Sequence, residues 1–259
     1  MVKWNILMKF KILSLFTLIV ILNTTTVQSN VIFRSGFEYI SKPNDTGINW
    51  AGEYPSGNSL DCTSASLTSP QDCNSGRDAM QNASTDGHAG FSFTKLDVDG
   101  IPLADQSVSY GVTPWACVKD NNTGLVWEVK TDAGIHNKHA TYQWGGLTAI
   151  GRDHPNALGP YFDDWNILVQ GSNTEILCGF DNWRVPTVDE LSGLANLGTF
   201  NPAIDINYFP KTEPLGYWSS SPITGDGGSA WTVFFGNGNN DDFGRNFVYR
   251  VRLVRGLEQ

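Results

Sequence analysis

Four cysteines, Cys62, Cys73, Cys117 and Cys178, place the tightest limit on how this chain can fold, because of what precedes them. Lys3, Lys9 and Lys11 make a basic start, residues 12–22 form an apolar run, and Val27-Gln28-Ser29 puts small residues at the −3 and −1 positions of a cleavage site. The run is shorter than the roughly 18 to 20 residues that span a bilayer, so it reads as a signal peptide, residues 1–29, rather than an anchor. An even cysteine count behind an export signal reads as two disulfides formed in an oxidising place: secreted, periplasmic or cell-surface. Three pairings are open. The reading taken is Cys62–Cys73, local to a Ser/Asn-rich stretch, and Cys117–Cys178, which would clamp distant parts of one domain. Zinc would call for C-x-x-C or Cys/His spacing, which the sequence lacks, so neither metal nor cofactor is expected.

Charge removes further classes. The formal net charge is −9, and loss of the three leader lysines takes it to −12. Nucleic acid and anionic membranes are poor partners for so acidic a protein. No second apolar run is present, so stable membrane insertion is not expected. Nine tryptophans within 12% aromatic residues point to large rings in the core or on a binding surface.

Residues 30–90 are rich in Gly, Ser, Asn, Asp and Thr, with weak hydrophobic periodicity. They read as short strands joined by long turns, stiffened by Cys62–Cys73. The pattern sharpens over 91–257. Phe91, Phe93 and Lys95-Leu96 read as a strand, and Asp99-Gly100 as a turn. Apolar stretches on either side of Asp120-Asn121-Asn122-Thr123-Gly124 read as a hairpin that places Trp127 on its second strand. Residues 131–179 read as loops with one short helix. Thr187 followed by Glu190 is a capping box, with Pro186 before it and Leu191, Leu194 and Ala195 on one face, so a helix is expected over 188–197. The end reads as two strands, 230–235 and 247–253, around a long polar hairpin loop, 236–246.

Several stretches in order resemble one family. They include Trp115-Ala116-Cys117-Val118-Lys119-Asp120, Leu125-Val126-Trp127-Glu128-Val129-Lys130, Leu177-Cys178-Gly179, Asp181-Asn182-Trp183-Arg184-Val185-Pro186-Thr187, Tyr217-Trp218-Ser219-Ser220-Ser221-Pro222 and Val251-Arg252-Leu253-Val254-Arg255-Gly256. Over residues 90–256 this succession resembles the Legionella collagen-like protein (Lcl) C-terminal domain family. The resemblance implies an α+β fold, C-type-lectin-like, with short antiparallel strands, one or two helices and long irregular loops. It also implies exported adhesion or ligand binding, with sulfated glycans bound by the founding protein. The acidity of the chain opposes a polyanion, while Arg245, Arg250, Arg252 and Arg255 offer a local basic cluster that screening would isolate from distant acids.

Candidate motifs separate into scaffold and surface. Trp183, Arg184, Pro186, Thr187 and Glu190 read as scaffold, with Arg184 paired to a carboxylate, and Trp127 and Trp218 as core. Residues 120–124 read as a turn bonding its own backbone rather than a calcium loop. His136, His139 and His154 read as solvated loop histidines. No nucleophile elbow or phosphate loop is present. Formylglycine-generating enzymes share a related fold but need a C-terminal cysteine pair, and the last cysteine here is Cys178. The ligand-binding candidates are Asn237, Asn239, Asn240, Asp241, Asp242, Phe243, Arg245 and Asn246, displayed on the 236–246 loop. The expected function is therefore non-catalytic binding of a glycan or protein. The alternatives are a variable protein of the diversity-generating retroelement type, which this Asn-rich loop resembles in composition, and a secreted hydrolase using two carboxylates.

Overall fold

A computed structural model describes residues 44–55, 57–62, 69–77, 85–151 and 162–256. The expected signal peptide and His154 lie outside the described residues. Strands β1 (Ala51–Glu53) and β2 (Gly57–Leu60) form a hairpin. Strands β3 (Phe93–Leu96), β4 (Cys117–Asp120), β5 (Val126–Glu128) and β9 (Val254–Arg255) form a four-stranded sheet in that order. Strands β6 (Gly216–Ile223), β7 (Asp226–Phe234) and β8 (Asn239–Gly244) form a three-stranded sheet. The described residues also include helix α1 (Asn166–Thr174) and helix α2 (Val188–Ser192). All strand pairings within these sheets are antiparallel, so the fold is α+β. Both expected disulfides, Cys62–Cys73 and Cys117–Cys178, are formed.

Strand side chains alternate between the two faces of a sheet. Here both faces are covered, so alternation sorts the residues into two apolar clusters. Val118, Trp127, Tyr217, Val233 and Val254 enter one, with Phe93, Leu191 and Phe209. Cys117, Val126, Trp218, Ala230 and Leu253 enter the other, with Trp144, Trp165 and Trp183. Indole N–H groups tie irregular chain to these cores, since a buried donor needs an acceptor. Trp218 Nε1 donates to the Tyr142 carbonyl at 2.8 Å, Trp144 Nε1 to Ser219 at 2.8 Å, and Trp183 Nε1 to Leu177 at 3.0 Å.

The start of α2 is built as expected. Glu190 N–H donates to Thr187 Oγ1 at 3.2 Å, and Thr187 N–H donates back to Glu190 Oε2 at 2.8 Å. The same Glu190 receives both Arg184 nitrogens, at 2.7 and 2.6 Å, so one carboxylate caps the helix and holds a fork-shaped guanidinium. Thr187→Ala is expected to lower stability by about 1 kcal/mol in urea unfolding, the usual cost of a lost N-cap. The helix is shorter than the expected 188–197. It stops at Ser192, where Gly193 follows. Leu194 and Ala195 N–H groups then close tighter three-residue turns onto Leu191 and Ser192.

Two corrections concern the C-terminal part. Residues 239–244, expected in an open loop, are strand β8, in continuous register with β7 from Phe234↔Asn239 to Ser229↔Gly244. Residues 247–253, expected to be the second hairpin strand, instead run back past β6, bridge Tyr217 and Tyr142, and lead into β9. Val251, Arg252, Leu253, Val254 and Arg255 are all buried because this crossing segment is covered on both sides.

Residues 44–46 pack against the turn after β4 and the chain that follows α2. Asn44 Nδ2 donates to Asp120 at 2.5 Å and to the Gly193 carbonyl at 3.1 Å, and Leu197 N–H donates to the Thr46 carbonyl at 2.8 Å.

Candidate functional site

The β7–β8 connection is a tight turn. Asn237 and Gly238 N–H groups both point to the Phe234 carbonyl, the second at 2.7 Å, and Gly238 takes φ of 81°, a left-handed value that glycine adopts without strain. Asn237 Oδ1 accepts the Asn239 N–H at 3.2 Å. Beyond the turn, β8 is the outer strand of its sheet. Its exposed Asp241 and Asp242 also guard that edge against pairing with another chain.

Register decides what each face of β8 presents. Asn239, Asp241 and Phe243 share a face with Phe234, while Asn240 and Asp242 point to the other, toward α2. There Ser192 Oγ donates to Asn240 Oδ1 at 3.0 Å. A cleft of about 370 Å³ lies on the α2 side, walled by Asn44, Asp45, Thr46, Ser192, Gly193 and the turn residues 238–240. A second cleft, about 540 Å³, is lined by Phe200, Asn201, Phe234, Gly236, Asn237, Asn239, Asp241 and Phe243. Asn239 lines both. Among the described residues no Lys, Arg or His lines either cleft.

The second cleft is braced by neighbouring segments. Asn201 N–H donates to the Gly236 carbonyl at 2.9 Å and Ala203 N–H to Phe235 at 2.6 Å, which fixes the Phe200 loop beside the turn. The Phe243 ring centroid lies 5.4 Å from Phe234 and 5.1 Å from Tyr249, so that wall is packed from behind. Phe200 is its opposite, 78% exposed.

Of the expected ligand residues, Asn237, Asn239, Asp241 and Phe243 come together at the second cleft, and Asn239 and Asn240 at the first. Asp242 and Asn246 are exposed but line neither. Arg245 does not stand on the rim. It is 3% exposed, lies over the Trp144 ring at 4.3 Å, and donates to the Ser229 carbonyl at 3.2 Å. The basic cluster drawn from the sequence is likewise not a surface. Arg252 is fully buried, Arg255 is 7% exposed over the Phe180 ring, and Arg250 donates to the Lys138 carbonyl. Aromatic faces and carbonyls attract cations, which lets these guanidinium groups sit inside. Sequence reading missed Phe200, Asn201, Phe234 and the Asn44–Thr46 wall. The turn itself was signalled by Asn237-Gly238, a strong hairpin dipeptide.

A second polar cluster starts in the core at Glu128 and reaches the surface at Glu175. Glu128 Oε1 receives Lys130 Nζ and His136 Nδ1, each at 2.7 Å, and its Oε2 receives the Leu253 N–H at 2.7 Å. His136 Nε2 meets Glu175 as well. His136 is thus not the solvated histidine expected. Burial alone would raise Glu128, but Lys130 and His136 outweigh it and hold the carboxyl at about 2. Burial works against the charged imidazole, yet its bonds to the two carboxylates raise its pKa. Arg252 Nη1 donates to the Glu128 carbonyl at 2.6 Å and Nη2 to Thr212 Oγ1 at 2.7 Å, which ties the segment leading into β9 to the end of β5. The 120–124 turn closes on itself, since Asp120 Oδ1 receives the Asn122 and Thr123 N–H groups. Among the described residues no group of three or more His, Cys, Asp or Glu is placed to hold a metal ion.

The Lcl C-terminal domain family model matches residues 116–255. The chain belongs to this family. The match takes in α1, α2, the long-range disulfide, the Glu128 network and all of β8. No curated protein matches the chain. In this Lcl C-terminal domain, residues 44–46, which wall the first cleft, come from outside the matched stretch.

Proposed function

We propose that this Lcl C-terminal domain protein is an exported, non-catalytic binding or adhesion module with a C-type-lectin-like fold, and that it takes a glycan on the β8 face. The observation that carries this reading is the pair of clefts on either side of Asn239, on a surface that combines amide, carboxylate and aromatic groups. Such a surface is held from behind by two covered sheets, which supplies the rigidity a binding site needs. Two disulfides fit an oxidising, extracellular setting. Among the described residues no helix is long and apolar enough to cross a membrane.

The test is a glycan array probed with the mature chain at two salt concentrations. Asn239→Ala with Asp241→Ala is expected to remove binding and move the melting temperature by less than about 2 °C, because exposed positions contribute little stability. Asn246→Ala, off both clefts, should bind as the parent does. Phe243 is kept out of this set, since its packing on Phe234 and Tyr249 would confound the readout. Unchanged binding by the double variant would remove the β8 face from consideration.

A further inference from the structure

We propose that the 540 Å³ cleft is a subsite for one uncharged hexopyranose, stacked on Phe200 with its hydroxyl edge against Asn239 and Asp241; this rests on the β8-face reading above. The chemistry of the walls carries the argument. A pyranose has an apolar C–H face and an edge of hydroxyls, each both donor and acceptor. It therefore needs an aromatic plane next to planar amide and carboxylate groups. The cleft holds both kinds of group: the rings of Phe200 and Phe243, and the amides and carboxylate of Asn201, Asn237, Asn239 and Asp241. Its volume falls within the roughly 300 to 1,000 Å³ of small-molecule sites. Phe200 is 78% exposed beside it, a large apolar ring left in water where a stacking ligand would cover it.

Charge narrows the class. A sulfate or carboxylate on the sugar would meet Asp241 with no cation among the described residues of the lining to offset it, and desolvating such an anion is costly. Three of the four arginines near the C-terminus are buried. An alkylammonium would suit Asp241 and the rings but would leave the amide N–H groups without acceptors. A neutral polyol satisfies both halves of each amide.

The experiment uses the mature chain with methyl α-glucoside, methyl α-mannoside, methyl β-galactoside, galactose 6-sulfate and tetramethylammonium, followed by calorimetry or saturation-transfer NMR. At least one uncharged hexoside is expected to bind saturably and with little dependence on salt. Phe200→Ala should weaken it about tenfold or more, as loss of an aromatic anchor does, while Phe200→Trp retains it. Asp241→Asn, which keeps the shape and removes the charge, separates hydrogen bonding from electrostatics: retained hexoside binding is expected. Melting temperature within about 2 °C of the parent certifies each variant as folded. Binding of only the sulfated sugar or only the ammonium ion would overturn the inference. So would a hexoside that ignores Phe200→Ala, or none binding at all. In each of those cases loss of array binding in the Asn239/Asp241 double variant would leave the broader β8-face reading standing.

Discussion

Replacing Cys117 and Cys178 together by alanine is expected to lower stability by about 4 kcal/mol. The bridge spans 61 residues from β4 to the turn before Trp183, and both cysteines are fully buried in the second cluster. Cutting it frees that long loop in the unfolded chain, which favours unfolding by loop entropy. For a domain of this size the melting temperature should fall by roughly 8 to 16 °C. Differential scanning calorimetry of the folded variant reads this directly. A fall under about 3 °C would mean that the Trp183 hydrogen bond to Leu177 and the packing around it hold Cys178 in place without help from the crosslink.

Glu128→Ala is expected to be as severe, at about 3 to 5 kcal/mol, because it strands a buried lysine without its partner. It also removes the acceptor of the Leu253 N–H and one of the two carboxylates on His136. The same network predicts a pH profile. Glu128, at about 2 in the fold against an ordinary 4.5, adds stability that is complete above pH 4.5 and is lost as pH falls toward 2. His136, raised above 6.5, adds stability that is complete below pH 6.5 and fades as pH rises through its folded value. This network therefore stabilises most between pH 4.5 and 6.5. Urea unfolding followed from about pH 2 up to about pH 9, beyond that plateau on both sides, should show both limbs in the parent, and Glu128→Gln should flatten them. Limbs that persist in Glu128→Gln would assign them to other groups.

What could be read from residues alone was chemistry that acts over a few positions. The Thr187–Glu190 box, the partner of Arg184, the 120–124 turn and the cysteine pairs each depend on local spacing or on a small set of alternatives. Strand β8 was not legible because Asn-Asn-Asp-Asp-Phe-Gly has almost no preference for extended structure. It becomes a strand because β7 offers an open edge and Asn237-Gly238 turns the chain onto it. The arginines were misread for a related reason. Alternation at 247–253 says which residues share a face, and only the path of the chain says that both faces are covered. The candidate site was half visible: the β8 residues stand close in sequence, whereas Phe200 and Asn44 reach it from far along the chain.

Asn44, Asp45 and Thr46 form a wall of the first cleft, although they precede the family match by some seventy residues. A fragment trimmed to the matched boundaries would keep β8 and lose part of the chamber beside it. Under the reading proposed above, residues upstream of the matched core therefore help to set what that chamber admits.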